Sequence, residues 1–359
     1  MKNPVARIAH VSELSAPLQF ATDTLSLTAL PMLRVVQYSG PGKLNSDDLF
    51  LNLGGLHSAP RTTHALNLTD DRATTLTTAI QQAARTNKNI YRTLLSAAPV
   101  WTWQANPATT LRLTAGLLAV SFERGGEGQY TDYRQFSAGP DLSYAITAQT
   151  QLFSSAQVSR FETPSTDDST DSLALQGGVI QTFSDTLQGT FIAGWNFSRL
   201  EFLTFPAAPL PGQPAGPNAR ESELSGGALV DFELEKKFER TTTTLAWNRS
   251  FSPSSQGSRQ LRDEVQAKGI YAVSDRSALS LGMTFSNQYQ ESLQQSLPGN
   301  DPVQQLYAEG AWRYELLRNL SAEAGYRHLL QMQGSRVETV GYNEVFFGLR
   351  YAADSLRYR

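Results

Sequence analysis

The residues in this 359-residue sequence that are best suited to metal binding or proton transfer are its four histidines, because the chain contains no cysteine. They fall in separate predicted strands or turns, and their spacing does not match that of a metal site. The four are His10, His57, His64 and His328. No glycine-rich loop follows a strand and opens a helix, which argues against a phosphate-binding motif. We therefore predict no catalytic, cofactor or metal site, while a Ser-His-Asp arrangement assembled from distant strands stays an open alternative.

A second group of chemically active side chains consists of charged residues that alternate with apolar residues. Glu309 and Arg313, for example, fall on one side of segment 306–316, and Trp312 falls on the other. Where such a side lines an aqueous channel, its charges could form a selectivity lining. Because opposite charges on neighbouring strands neutralise each other, we favour the simpler role of filling a polar lumen. The residues predicted to line this lumen are Asp231, Glu233, Glu309, Arg313, Glu315, Glu323, Arg327, Glu344 and Arg350.

The alternation that positions these charges recurs from one end of the chain to the other, and a period of two residues indicates β-strands. In segment 187–198, Phe191 and Trp195 share one face, while Gln188 and Thr190 share the other. We expect the apolar face to contact lipid, because a lipid-facing charge is costly. The residues predicted to face the membrane are Phe191, Trp195, Val230, Phe232, Leu281, Met283, Trp312 and Phe347.

Three features favour a membrane barrel over a soluble β-sandwich or solenoid with the same alternation. Many predicted strands are about 11 to 17 residues long, against a mode of about 5–6 in soluble sheets. Aromatic residues cluster near the strand ends, and short turns alternate with longer polar connections. The sequence also has no apolar run near the roughly 20 residues that a membrane helix needs.

These features predict an all-β, antiparallel, up-and-down transmembrane β-barrel of about 16–18 strands in the outer membrane of a Gram-negative bacterium. The barrel would comprise residues 1–351, and a periplasmic tail would follow at 352–359. Longer connections are predicted at 124–128, 162–170, 204–220, 253–258, 292–302 and 333–337.

About seventeen strands can be counted, with ends that are uncertain by about 2–4 residues. Single-chain bacterial barrels have even strand counts, with both ends in the periplasm. We therefore expect one upward strand before Met1 and a gap between the first strand and Glu344–Tyr351. The alternative is that residues 1–20 form a periplasmic linker to a barrel of about sixteen strands. The predicted strands are 5–18, 24–38, 46–57, 62–72, 90–104, 109–123, 129–146, 151–162, 171–183, 187–203, 221–237, 241–253, 260–273, 277–291, 303–316, 320–332 and 339–351.

The chain also resembles a known family in two segments and in its turn sequences. The segments are VVQYSGPGKLNSDDLFLNLGG and TLTTAIQQAARTNKNIYRTLLSAAPVW, and the hairpins that follow contain SDT, FERT, SDRS and LRNLS. The sequence is similar to a family of uncharacterised outer-membrane β-barrels that is often associated with exopolysaccharide or exosortase (PEP-CTERM-type) systems. This resemblance covers nearly the whole chain. It implies a barrel architecture and a link to polysaccharide, and it supplies no catalytic residues.

Two classes of function are compatible with this sequence, and an outer-membrane enzyme is a less favoured third. The first is a channel or export conduit for polysaccharide or other polar solutes. The second is a structural or assembly barrel with a plugged lumen and partner-binding extracellular loops. The expected partners are outer-membrane lipid, periplasmic export components and the barrel assembly machinery, with no nucleic acid and no cofactor. The assembly machinery would engage the last strand through Val345, Phe347, Leu349 and Tyr351.

Overall fold

The computed structural model describes residues 8–39, 45–74, 90–123, 130–204, 219–253, 259–291, 302–333, 340–351 and 357–358. None of these residues forms a helix long and apolar enough to cross a membrane. Regular structure in the described part of the chain consists of β-strands. The strands are β1 (Ala9–Ser15), β2 (Leu18–Ala21), β3 (Leu25–Tyr38), β4 (Ser46–Ala59), β5 (Thr62–Thr74), β6 (Tyr91–Asn106), β7 (Thr109–Phe122), β8 (Tyr133–Ala145), β9 (Thr150–Thr163), β10 (Asp168–Ser184), β11 (Leu187–Thr204), β12 (Ala219–Lys237), β13 (Thr241–Pro253), β14 (Arg259–Ser274), β15 (Ser277–Glu291), β16 (Val303–Leu317), β17 (Leu320–Gln333), β18 (Val340–Tyr351) and β19 (Arg357–Tyr358).

From β3 to β18, each strand pairs antiparallel with the next strand along the chain, so the sheet has an up-and-down order. β1 and β2 both pair with β3 and are two halves of one strand. The interruption falls at Ala16 and Pro17, where proline offers no backbone N–H to a ladder. The predicted up-and-down β-barrel fold is confirmed, and its strands lie close to the predicted segments. The predicted 277–291, for example, is β15 itself.

The two faces of the sheet differ in chemistry because side chains alternate along each strand and cross-strand partners share a face. Phe232 pairs with both Phe191 and Trp247, whereas the neighbouring Glu233 pairs with Thr190. We call the face that carries Phe232 and its cross-strand partners the apolar face, and the face that carries Glu233 and its partners the polar face. About half of the Trp195 and Phe191 side-chain surface is exposed. A soluble sandwich would bury this apolar face in a core, so the exposure argues against that alternative.

One predicted long connection is wrong. Segment 162–170 is a tight turn, since β9 ends at Thr163 and β10 begins at Asp168. The Thr166 N–H donates to the Thr163 carbonyl at 3.2 Å, and Asp167 adopts a left-handed φ of 58°. Aspartate tolerates that conformation better than most residues, so the Thr-Asp-Asp run forms a turn rather than a loop. The other predicted long connections, 124–128, 204–220, 253–258, 292–302 and 333–337, lie largely outside the described residues, as does the predicted tail 352–359.

The first and last long strands are not joined. Among the described residues no ladder connects β18 with β1 or β2, which is the gap that the odd strand count predicts. β1 and β18 run in the same direction. The chain reverses direction at each antiparallel step, and an odd number of strand positions means an even number of reversals between the first strand and the last. The two residues of β19 pair parallel with Gln19 and Phe20 of β2. Along the free edge of β18, Val345 is 84% exposed and Phe347 is 74% exposed.

The sheet also splits between β12 and β13. Their ladder contains only the eight pairs from Val230–Arg249 to Lys237–Thr242, whereas β12 pairs with β11 along eighteen residues. Beyond the split, Arg259 of β14 donates to Ser172 of β10 and Ser198 of β11. The Phe251 ring lies beside Gly227, where an added Cβ would come within 3.0 Å of it. The ends of β13 and β14 therefore lie over the polar face of β10–β12.

Candidate functional site

The polar face carries a ladder of three charges across β16, β17 and β18. Register pairs Glu309 with Arg327, and Arg327 with Glu344. The Arg327 Nε donates to Glu309 at 3.0 Å, and its Nη1 donates to Glu344 at 3.4 Å. The guanidinium stacks 4.2 Å from the Phe346 ring centre, and the Tyr307 hydroxyl donates to Glu309. We call Glu309, Arg327 and Glu344 the charge ladder. One arginine thus holds two carboxylates in a fixed arrangement on a wall that solvent reaches.

The other predicted lumen residues lie on the same polar face without forming comparable clusters. Arg313 is the register partner of Glu323, and Arg350 is the partner of Ser321, as is Glu315. No ion pair joins Arg313 to Glu323 in the described part of the chain. Asp231 and Glu233 lie on β12, opposite Asn248 and Ala246 of β13. The structure therefore brings together only Glu309, Arg327 and Glu344 from the predicted set.

The predicted membrane-facing residues lie on the apolar face of their strands. Phe191 pairs with Phe232, and Val230 lies one rung further along β12. The remaining members are strongly exposed along their strands: Trp195, Leu281, Met283, Trp312 and Phe347.

Ion pairs mark one border of the apolar band. On β11 the apolar face runs from Leu187 to Phe197, and the next residue on that face is Arg199. These eleven residues match the about 9–11 that a tilted strand needs to cross a membrane. Beyond them, Arg160 pairs with Glu162 at 2.6 Å and with Asp171 at 3.4 Å. This belt of charge is the level at which we expect the hydrocarbon to end.

The polar face also contains an apolar cluster that the alternation did not predict. Val120, Tyr133 and Phe161 are all at most 7% exposed, and Leu94 and Phe122 pack against them. The Tyr133 and Phe161 rings lie 5.6 Å apart. These residues occupy the polar-face positions of β6–β9, so this part of the interior is filled rather than open. Their only sequence signal was the presence of apolar residues at positions that a polar lumen would leave hydrophilic.

Sequence reasoning also missed cross-strand ion pairs on the polar face, among them Arg112–Asp141 at 2.7 Å. Arg34 of β3 donates to Glu13 of β1 at 2.6 Å. Both residues fall within predicted strands, and their opposite charges could have suggested the pairing. Among the histidines, His57 and His64 are register partners with ring centres 6.0 Å apart. Among the described residues, no group of three His, Asp or Glu side chains is arranged to hold a metal ion.

Comparison with known proteins supports the fold at a structural level only. No protein-family model matches the chain, and no curated protein matches it in sequence. Among solved structures, the open form of the ferric-catecholate import receptor Fiu from E. coli K12 has a TM-score of 0.55 and 12% identity, over 97% of this chain and 74% of that one. The copper transporter OprC has a TM-score of 0.54 and 10% identity, over 97% of this chain and 67% of that one.

A third similar structure is the unliganded ferric citrate transporter FecA, with a TM-score of 0.52 and 11% identity. The match covers 96% of this chain but 60% of FecA, so this chain spans less than two thirds of that protein. At these identities the likeness establishes the fold, which is that of outer-membrane β-barrels, and the predicted outer-membrane location agrees with it. The expected association with exopolysaccharide systems finds no support in these matches.

Proposed function

We propose that this protein is an outer-membrane conduit for polar solutes. The observation that carries the proposal is the polar face, where side chains of both signs line the same side of consecutive strands. A barrel with about seventeen strands is wide enough to leave an aqueous lumen when its interior wall is polar. The likeness to import receptors and transporters supports transport rather than catalysis as the role of such a wall. Polysaccharide is one class of polar solute that this proposal includes.

A preference for cations follows from the residues that we place along the lumen. They comprise six carboxylates and three arginines, and the charge ladder itself holds two carboxylates against one arginine. A lining with excess negative charge raises the local concentration of cations and disfavours anions.

A second candidate is a structural or assembly barrel with a plugged lumen. The apolar cluster of Val120, Tyr133 and Phe161 favours it, because a packed cluster on the polar face reduces the open cross-section. The ends of β13 and β14, which lie over the polar face, reduce it further. In this alternative the longer connections would bind partners. Under either proposal, Val345, Phe347, Leu349 and Tyr351 would serve the assembly machinery.

Single-channel recording of the purified chain in a planar bilayer distinguishes the two candidates. A conduit predicts stable conductance steps and a reversal potential that shows cation preference in a salt gradient. A protein that inserts, shown by heat-modifiable migration, but gives no conductance steps contradicts the conduit and supports the plugged barrel.

A further inference from the structure

The register of strands β8–β12 aligns five serine hydroxyl groups in one row across the polar face. Ser137 pairs with Ser159, Ser159 with Ser172, Ser172 with Ser198, and Ser198 with Ser225. We call this row the serine rung. Because adjacent strands lie about 4.8 Å apart, it places a hydroxyl at each strand spacing across the wall.

Side-chain amides continue this surface toward the short turns. The next rung contains Gln157 and Asn196, which both have Ala174 as register partner, and the rung after that contains Ser155 and Gln176. The Asn196 amide donates to Ser198 at 2.6 Å, and Ser155 donates to the Gln176 carbonyl oxygen at 3.4 Å. We call the serine rung and these two amide rungs the neutral wall. Its members are hydroxyls and amides. At its edge on β8, Asp141 is the register partner of Ser155, and Arg112 neutralises its charge at 2.7 Å.

A cavity of about 300 Å³ lies between the neutral wall and the end of β13. Gln157, Gln176 and Asn196 line it from the wall, and Ser250, Phe251 and Arg249 line it from the opposite side. Its volume is at the lower end of the range of small-ligand sites. The site is therefore a concave space between two walls rather than a flat stretch of barrel lining.

The lining groups have hydrogen-bonding capacity that the described residues do not use. Gln135 and Gln157 make no side-chain hydrogen bond with described residues, so each offers an amide donor and an acceptor to the cavity. Three charged side chains also line the cavity, namely Asp231, Arg249 and Arg259. Arg259 donates to Ser172 at 2.9 Å and stacks 4.2 Å from the Phe251 ring centre, while Asp231 adds a negative charge that disfavours anions. Arg249 approaches Asp263 at 3.7 Å.

This combination is suited to a ligand with many hydroxyl groups. Such a ligand both donates and accepts hydrogen bonds, as do side-chain amides and serine hydroxyls, whereas an anion needs unpaired cations. Phe161 and Phe251 also line the cavity and offer apolar contact to the C–H groups of a sugar, although Phe161 is 7% exposed and Arg259 covers one face of the Phe251 ring. We propose that the neutral wall and this cavity bind a neutral sugar or short oligosaccharide. The inference rests on the proposed conduit, whose solute it specifies.

The test uses the full chain in detergent and a panel of maltotriose, cellotriose and N-acetylchitotriose, with trigalacturonic acid as an anionic member. Saturation-transfer NMR reports binding, and the same sugars are added to single channels to measure block of the current. We expect at least one neutral trisaccharide to give both signals. The double variant Gln157→Ala with Gln176→Ala should weaken its affinity about tenfold, through loss of two neutral hydrogen bonds. The control is Gln331→Ala, since Gln331 lies on the polar face of β17, away from the wall.

The outcomes separate this inference from the proposed function. Conductance without any sugar signal, or an equal effect of the wall and control variants, overturns the sugar site and leaves the conduit standing. Sugar binding that the wall variants weaken, in a protein without conductance, supports the site and contradicts the conduit. Binding of trigalacturonic acid alone overturns the assignment to neutral sugars. Heat-modifiable migration of each variant verifies that it folds, and Ser159→Val provides a second wall variant if the double variant does not.

Discussion

Replacement of Arg327 by glutamine should destabilise the barrel, because this arginine separates two carboxylates on the polar face. Glu309 and Glu344 lie on strands to either side of it, about 10 Å apart at two strand spacings. Two like charges at that distance repel by about 0.4 kcal/mol in bulk water and about 1.7 kcal/mol at an effective dielectric constant of about 20. The two carboxylates lie closer than the backbones, because both bond to the same guanidinium. The three side chains are 36%, 29% and 31% exposed for Arg327, Glu309 and Glu344, so the repulsion should fall between these limits.

Loss of the two ion pairs adds to that repulsion. Exposed pairs contribute about 0.2–1 kcal/mol each, and these are partly shielded from solvent. We therefore expect Arg327→Gln to lower the free energy of unfolding by about 1–2 kcal/mol in total. The measurement is reversible urea unfolding of the chain in lipid vesicles, followed by tryptophan fluorescence. A second readout is the single-channel reversal potential, which should shift toward stronger cation preference.

Arg313→Gln is the matched control, because it removes the same charge from the polar face of the neighbouring strand. No ion pair joins Arg313 to its register partner Glu323, so its removal should change stability by no more than about 0.5 kcal/mol. A double-mutant cycle with Glu309→Gln isolates the coupling between Glu309 and Arg327. Equal effects of the two arginine substitutions, or a coupling energy of zero, would refute the reasoning.

Three further predictions concern single positions. Phe347→Asp should prevent membrane insertion, because the assembly machinery would no longer recognise the last strand and the new charge would face lipid. The second effect costs less than the about 2–4 kcal/mol of an Arg or Lys at the membrane midplane. A normal heat-modifiable barrel in membrane extracts would contradict this prediction. Gly178→Ala should destabilise by about 1–3 kcal/mol in urea unfolding, because an added Cβ would lie 2.2 Å from the Phe191 carbonyl oxygen, whereas Gly282→Ala has nothing within 4 Å and should be tolerated. In this cysteine-free chain, Glu233→Cys should react with a water-soluble maleimide in intact vesicles and Trp195→Cys should not, and the reverse pattern would show that the two faces are misassigned.

The strands themselves could be predicted because each one carries its own signal. A membrane strand must place apolar groups at every second position, so β15 is recognisable from Leu279, Leu281 and Met283 without reference to its neighbours. The turn at Thr163–Asp168 was misjudged for the opposite reason. Polar residues there are compatible with a loop or a tight turn, and only the closing hydrogen bond from Thr166 decides between them.

The candidate sites were less predictable, because they depend on register and on contacts between distant strands. The sequence shows the five serines of the serine rung but not their alignment. A shift of one residue in the register of any strand pair would move that strand's serine to the apolar face. Beyond the split between β12 and β13, Arg259 contacts Ser172, which lies 87 residues away along the chain. Alternation within β14 contains no information about such a contact.

The two chemically distinct parts of the polar face lie far apart along the sheet. The neutral wall is centred on β10 and the charge ladder on β17, seven strands apart in a sheet of about seventeen positions. A solute in the lumen would therefore meet mainly hydroxyls and amides at one of these surfaces and paired charges at the other. Because these surfaces share no residues and no hydrogen bonds, ion preference and sugar binding should vary independently. Arg327→Gln should alter the reversal potential and leave trisaccharide affinity unchanged, while the Gln157 and Gln176 substitutions should do the reverse.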